Sequence, residues 1–415
     1  MKIFNLSNSF ALIEIFITFA TNDKPKFIRK RCMIDKDHSP IATSGENTGY
    51  LRGNTDPEFS KRISVLRFVL VVLVVFIHSN MNMAIHLTDG DFVVAMPLWI
   101  QIINDTFSIY WGGIAVPTFF IISGYLFFAK PNPFVVTIRT KFKRLVIPYC
   151  LWIILTILIY YIGQSFEFSK PYFSVLPERI IRDWSISDFL SAFWNKSGGS
   201  PLVFQFWYLR NLMIMMLISP LIKYCAEKFP MAFFIFTTAL YTAEMLHITA
   251  IPYGLTGALF YFSLGYYAVK NIGKIIEWLD AIHWRDFIAA YMISFVLMVY
   301  VNMNSLIDND LINWFNLLFT ICLAIKIAGV ACKKEKLFEK LSYLSGFSFW
   351  IYAIHTPFIL QPIRNICAQL IPMHDAWILV QFFGDVILCV GISLGLGILL
   401  KKLFPKFYHL LNGGK

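Results

Sequence analysis

Apolar residues run through most of this chain in long segments, and several segments reach the roughly 20 residues that an α-helix needs to cross a bilayer. Ten candidate spans follow, at about 63–83, 111–129, 145–163, 206–224, 231–249, 253–270, 286–302, 312–330, 345–363 and 377–400. The pattern predicts an all-α integral membrane protein, a bundle of about ten transmembrane helices.

The polar positions between the runs sort by charge. Lys130, Arg139, Lys141, Lys143 and Arg144 separate spans two and three. Later stretches on the same side carry Lys223 and Lys228, then Lys270, Lys274 and Arg285, then Lys333, Lys334, Lys336 and Lys340, with Lys401, Lys402 and Lys406 in the tail. On the opposite side, residues 84–110, 250–252 and 303–311 hold no Lys or Arg, and Arg364 is alone in its loop. The bias predicts that both termini are cytoplasmic. The loop 164–205 is then outside, its four basic residues matched by Glu167, Glu178, Asp183 and Asp188. It is rich in aromatics and ends in NKSGGSP, so it can cover a site from above.

Residues 1–60 stand apart as an N-terminal extension. The apolar stretch 3–20 behind Lys2 fits a signal peptide, a membrane-surface helix or an early start with Met33 as one alternative. A cleaved signal would invert every loop, and the charge bias opposes that. Residues 21–60 are polar and expected to be disordered. The transmembrane domain is taken as 61–404 and the cytoplasmic tail as 405–415.

Composition narrows the function classes. Of the 415 residues, 57% are hydrophobic and 15% charged, against about a quarter charged in a soluble protein. The net charge of +11 lies in short loops between apolar runs, which is a topology signal and not a nucleic-acid footprint. Seven scattered cysteines show no close spacing for a metal or redox site and no disulfide framework. No nucleotide-binding loop is present.

Candidate chemistry sits inside the runs. RFVLVVLVVFIH (67–78) brackets ten apolar residues with Arg67 and His78. Eleven residues make three helical turns, so both face one way, about 16 Å apart along the axis. Intramembrane ionisable groups cost at least roughly 2.5–3.5 kcal/mol at the bilayer centre, so they normally face protein or a cavity. The plain alternative is that Arg67 snorkels to headgroups and His78 sits in the opposite interface. TFFIISGYLFF (118–128) places Ser123 and Gly124 mid-helix, where glycine permits close packing or a bend. KFKRLVIPY (141–149) sets Lys143 and Arg144 at the mouth of span three, as phosphate ligands or as topological charge. QFWYLRNL (205–212) carries Trp207 and Tyr208, suited to an interfacial belt, and then Arg210 and Asn211 just inside. SGFSFWIYAIHTPF (345–358) aligns Ser345, Ser348, Tyr352 and His355 on one expected helical face. Glu244, His247 and Asp385 are weaker candidates, expected to pair inside the bundle.

Taken together, these motifs resemble the membrane-bound acyltransferase-3 family, whose members O-acylate surface polysaccharides and other acceptors. The Arg67–His78 spacing is similar to the family's first-helix signature. FFIISGY (119–125), KRLVIPY (143–149), FWYLRNL (206–212) and SFWIYAIHTP (348–357) resemble its later landmarks, in order, over about residues 61–404. FWYLRNL is most similar to the branch holding the enterobacterial common antigen O-acetyltransferase. The chain departs in having Ser64 and Val65 where many relatives are acidic, and in its long N-terminal extension. The resemblance implies a multi-pass protein of the bacterial inner (cytoplasmic) membrane that moves an acyl group, most simply acetyl, from acyl-CoA to a hydroxyl of a glycan or lipid-linked glycan. It implies His78 as general base, Arg67 with Arg144 and Lys143 on the CoA phosphates, and Ser123, Tyr208, Arg210 and His355 around the substrates. An acyl-histidine relay is the variant mechanism. No cofactor is expected to bind tightly; acetyl-CoA is a co-substrate. The competing classes are a multi-span transporter of a small solute and a non-enzymatic member of a glycan-assembly complex, neither of which would turn over acyl-CoA.

Overall fold

A computed structural model describes residues 55–82, 85–87, 90–92, 96–130, 133–173, 180–196, 198–246, 248, 254–304 and 309–414. The extension to residue 54 and His247 lie outside them. Apart from a two-stranded pair, β1 (Ile85–Leu87) and β2 (Gly90–Phe92), the described chain is helical.

The first helix, α1 (Pro57–His78), starts earlier than the apolar run suggests. Asp56 caps it, its carboxylate accepting from Phe59 N at 2.8 Å, with Pro57 in the first turn and Glu58 behind. α1 lies at the centre of the bundle, packed on by six other helices. After the β pair, α2 (Leu98–Asp105) runs through a widened turn at Thr106–Trp111 and a tight one at Gly112–Ile114 into α3 (Ala115–Phe128). Then come α4 (Phe134–Lys141), α5 (Ile147–Gly163) and the short α6 (Ile186–Ala192) within the loop. α7 (Trp207–Leu217) and α8 (Ser219–Lys228) meet at 60°, so the expected span at 206–224 is a bent pair. Pro220 at the start of α8 has no N–H to continue the α7 ladder.

The second half holds α9 (Pro230–Met245), α10 (Leu255–Ala281), α11 (Trp284–Asn304), α12 (Asn309–Cys332) and α13 (Glu335–Ser345). The single span expected at 345–363 is instead α14 (Ser348–Ile354) and α15 (Leu360–Leu370), separated by an irregular turn at His355–Ile359. α16 (Trp377–Leu403) and α17 (Pro405–Leu411) close the chain. Ser345 ends α13 and so leaves the polar face expected of it with Ser348.

Among the described residues, five helical stretches are long and apolar enough to cross a membrane, and the bent pair makes a sixth. α1 falls short of that standard because Lys61, Arg62 and Arg67 share its length. Gly124 serves packing, not bending. α3 and α10 cross with Gly124 against Phe262 and Gly265 against α3. A Cβ on Gly265 would stand 2.5 Å from Ile121 O and from Tyr125 N. Only backbones without side chains approach this closely.

Candidate functional site

His78 is the last residue of α1, and His355 follows the last residue of α14. Their rings stack with centroids 5.2 Å apart and planes 29° from parallel. The local sequence explains why a helix ends there. Pro357 lacks a donor and disfavours helical backbone at its predecessor, and Thr356 is extended at φ −135°, ψ 143°. Carbonyls freed by the break need donors. Gln205 supplies them: its Nε2 donates to Thr356 O at 2.6 Å and to Ala353 O at 3.5 Å. Tyr352 Oη donates in return to Gln205 O at 2.5 Å.

This clamp orients His355, whose Nδ1 stands 2.8 Å from Tyr352 O and 3.2 Å from Ile351 O. Carbonyls only accept, so Nδ1 carries the hydrogen and Nε2 keeps its lone pair. His355 Nε2 is buried and has no hydrogen-bond partner among the described residues. His78 is only partly buried, and Phe204 stands edge-on to it at 4.9 Å. His78 is thus the ring open to a substrate, with His355 packed behind it.

A line of side chains runs from the pair back to Arg67. Tyr352 lies 6.3 Å from His355 and 6.1 Å from Tyr208, ring to ring. The Tyr208 hydroxyl shares a 3.3 Å hydrogen bond with Ser123 Oγ. Tyr208 is also the polar neighbour of Arg67. The structure therefore brings together His78, His355, Tyr208, Ser123 and Arg67. Lys141, half-buried, has Arg67, Lys130 and Arg144 as its cationic neighbours. Among the described residues none of these four cations pairs with a carboxylate. Lys143 is exposed on a separate patch with Phe134, Val135 and Phe142. Lys141 and Arg144, three apart, share a face that Lys143 does not, and that spacing is visible in the sequence.

Arg210 is placed elsewhere. Its Nη1 donates to Trp194 O and Gly199 O, both at 2.7 Å, and its guanidinium lies over the Trp194 ring. It anchors the end of the loop 164–205, whose Phe204 covers His78. Arg364 is the residue that sequence reasoning passed over. It is buried, and it donates to His78 O and Asn80 O, both at 3.3 Å. It thereby closes the carbonyl end of α1 with a cation, the favourable polarity there. Fully buried Asp385 is its acidic neighbour. Gln381 Nε2 donates to Arg364 O at 3.3 Å, and the Cys389 thiol approaches His355 O at 3.9 Å. Residues 381, 385 and 389 follow one face of α16 behind the histidines. The available signal was an isolated arginine in a loop otherwise free of Lys and Arg. Glu244 is a helix cap: it accepts from Gly254 N at 2.8 Å, from Thr256 Oγ1 and from Gly257 N at 3.3 Å, at the start of α10.

The succinoglycan biosynthesis protein ExoH of Rhizobium meliloti (strain 1021) is 26% identical over 318 residues, covering 73% of this chain and 80% of that protein. No solved structure matches. A family model described as an acyltransferase domain matches residues 60–402, which contain every site residue described above. The chain belongs to that acyltransferase family.

Proposed function

We propose that the protein is an acyl-CoA-dependent O-acyltransferase, most simply an acetyltransferase, acting on a hydroxyl of a cell-surface glycan or its lipid-linked precursor. The observation that carries the reading is the line from an unpaired cation cluster to a half-open histidine. The relative named for succinoglycan biosynthesis supports a polysaccharide acceptor. Ten spans, cytoplasmic termini and the bacterial inner membrane are part of the same reading.

Arg67, Arg144 and Lys141 hold the phosphates of acyl-CoA from the cytoplasmic side. Guanidinium groups suit phosphate because their forked donors match its oxygens. The three turns between Arg67 and His78 are then spanned by the pantetheine arm, past Ser123 and Tyr208. His78 takes the proton of the acceptor hydroxyl as its oxygen attacks the thioester carbon. The tetrahedral oxyanion collapses, breaking the C–S bond, and His78 returns the proton to the departing CoA sulfur. His355 holds His78 in place by stacking, and Arg364 fixes the backbone that carries it. Ser123 and Tyr208 offer their hydroxyls to the amides of the passing arm.

Calorimetry of purified protein with acetyl-CoA tests the donor half. Micromolar binding that falls sharply in Arg67→Ala is expected. His78→Ala should bind acetyl-CoA as the wild type does and lose about 10²–10⁴-fold in transfer. Absence of binding to acetyl-CoA and longer acyl-CoAs by folded protein would move the assignment to a transporter. Full transfer by His78→Ala would remove the general base.

A further inference from the structure

Among α3, α7, α9, α10 and α12 lies a cavity of about 430 Å³ that the chemistry above does not use. Small-molecule sites measure roughly 300–1,000 Å³ and combine apolar walls with a few placed polar groups. This cavity has both. Tyr110, Phe120, Trp207, Tyr241, Tyr261 and Trp314 supply rings.

The polar groups are positioned and only partly used. Asn313 and Asn316 line the cavity from α12. Their carboxamide oxygens are taken, Asn313 Oδ1 by Asn302 Nδ2 at 3.0 Å and Asn316 Oδ1 by Ser294 Oγ at 3.3 Å. Neither amide nitrogen donates to a described residue, so both remain as donors. The Trp314 N–H lies by the Tyr261 hydroxyl without completing a hydrogen bond. Glu244 adds a carboxylate, which offers about four lone-pair sites. Its three capping donors leave one.

The combination excludes simpler occupants. A lipid tail would leave these polar groups unmatched. A cation would need more than one carboxylate that already faces backbone N–H groups. An anion would meet Glu244. A neutral sugar ring fits, because its C–H faces stack on aromatic rings while its hydroxyls both donate and accept. The position fits too. Phe120 forms the wall, and on its far side it packs against Tyr208 with centroids 4.6 Å apart. The cavity is one side-chain layer from the line between Arg67 and His78.

We infer that this cavity is a subsite for a neutral glycosyl unit of the acceptor, a unit other than the one bearing the reacting hydroxyl. The word acceptor rests on the acyltransferase reading; the binding of a sugar does not.

The test is saturation-transfer NMR with cellobiose, lactose and maltose on protein in nanodiscs prepared without glycoside detergents. Acetyl-CoA binding is measured on the same samples. Trp314→Ala removes a ring and a donor, and Leu317→Trp fills the cavity, so the variants act oppositely on volume and one suffices where the other does not fold. Glu244 is left alone because it caps α10. Saturable saccharide binding by the wild type is expected, weakened at least about tenfold by either variant, the scale of a lost ring contact, with acetyl-CoA affinity unchanged. No saccharide signal from the wild type, or a signal indifferent to both variants, overturns the subsite and leaves the acyltransferase reading standing. A phospholipid retained by the wild type and displaced in Leu317→Trp, without a saccharide signal, overturns it in favour of a lipid cavity. A cavity-dependent saccharide signal without acetyl-CoA binding supports the sugar site and sinks the acyltransferase reading instead.

Discussion

Arg62 and Arg67 stand five residues apart on α1 and are treated in opposite ways. Arg62 has a side chain 3% exposed, meets Asp280 through both nitrogens at 2.5 and 3.2 Å, and donates to Ile325 O at 3.2 Å. Gly329 makes room for it, since a Cβ there would stand 2.7 Å from the Arg62 Cζ. Lys326 seals the same corner by donating to Leu279 O and Ile282 O at the end of α10. Arg67 is half-buried, has Tyr208 as its polar neighbour, and has other cations nearby instead of a carboxylate. A buried cation paired with a carboxylate holds helices together. A cation held among like charges is costly unless a ligand completes it. Arg210 and Arg364 are also tied down, each donating to two backbone carbonyls.

The largest expected effect breaks the paired side of this contrast. Asp280→Ala takes the carboxylate from a guanidinium only 3% exposed; a fully buried pair broken this way costs about 3–5 kcal/mol, and the 38% exposure of Asp280 lets water offset part of that. The unfolding midpoint in detergent should drop markedly. Arg62→Met should cost less, because Asp280 is 38% exposed and water can solvate the carboxylate left behind. Arg67→Ala should leave the midpoint within about 0.5 kcal/mol of wild type, as a surface substitution does, while acetyl-CoA binding is lost. A midpoint that falls as far in Arg67→Ala as in Asp280→Ala would erase the distinction.

A smaller effect is expected at Gln205, which is structural by contact and catalytic by consequence. Gln205→Ala leaves the Thr356 carbonyl without its donor, at about 1–3 kcal/mol for a buried unmet group. The break that presents His355 should then relax. Transfer should fall at least about tenfold at saturating substrates, with acetyl-CoA affinity unchanged. Gln205→Glu should be no better, since it sets acceptor against acceptor. Equal losses in binding and turnover would show a general loss of fold.

Much of this was legible in the chain, for reasons that differ by residue. Arg67 and His78 could be placed on one face because an unbroken helix has a fixed period. Gly124 could be read as packing because a small residue mid-helix has few other uses in a membrane. The family match carries the family and not the branch that FWYLRNL suggested. Ser345 and His355 could not be placed on one helix, because Pro357 and the turn after α13 override the period. Whether a cation is paired was also hidden. The partner of Arg62 is 218 positions away, and no local pattern reports it. Lys141 drew no attention beside Lys143 and Arg144, because its approach to Arg67 depends on packing between helices.

The smallest effect sharpens the comparison at the loop 164–205, where an ion pair has one buried and one exposed member. Lys196 Nζ meets Asp188 Oδ1 at 2.6 Å and lies 4.2 Å over the Trp184 ring. The Lys196 hydrogen bond, then those from Ser185, hold the Asp188 carboxyl below its ordinary range. A depressed carboxyl contributes stability that is full above the unfolded value near 3.9 and is lost as pH falls through the folded value. The loop should therefore stay docked throughout the neutral range and remain docked at about pH 4, where an ordinary carboxylate is half protonated. Limited proteolysis should find the segment near residue 196 equally protected across that range. Asp188→Asn should raise cleavage modestly, more so at low salt where the intact pair is least screened. Transfer should change less than about twofold, because Arg210 still holds Trp194 and Gly199. If cleavage instead rises on mild acidification with Asp188 intact, the Asp188–Lys196 pair is not what docks the loop. The anchoring would then rest on Arg210 alone, through its bonds to Trp194 O and Gly199 O.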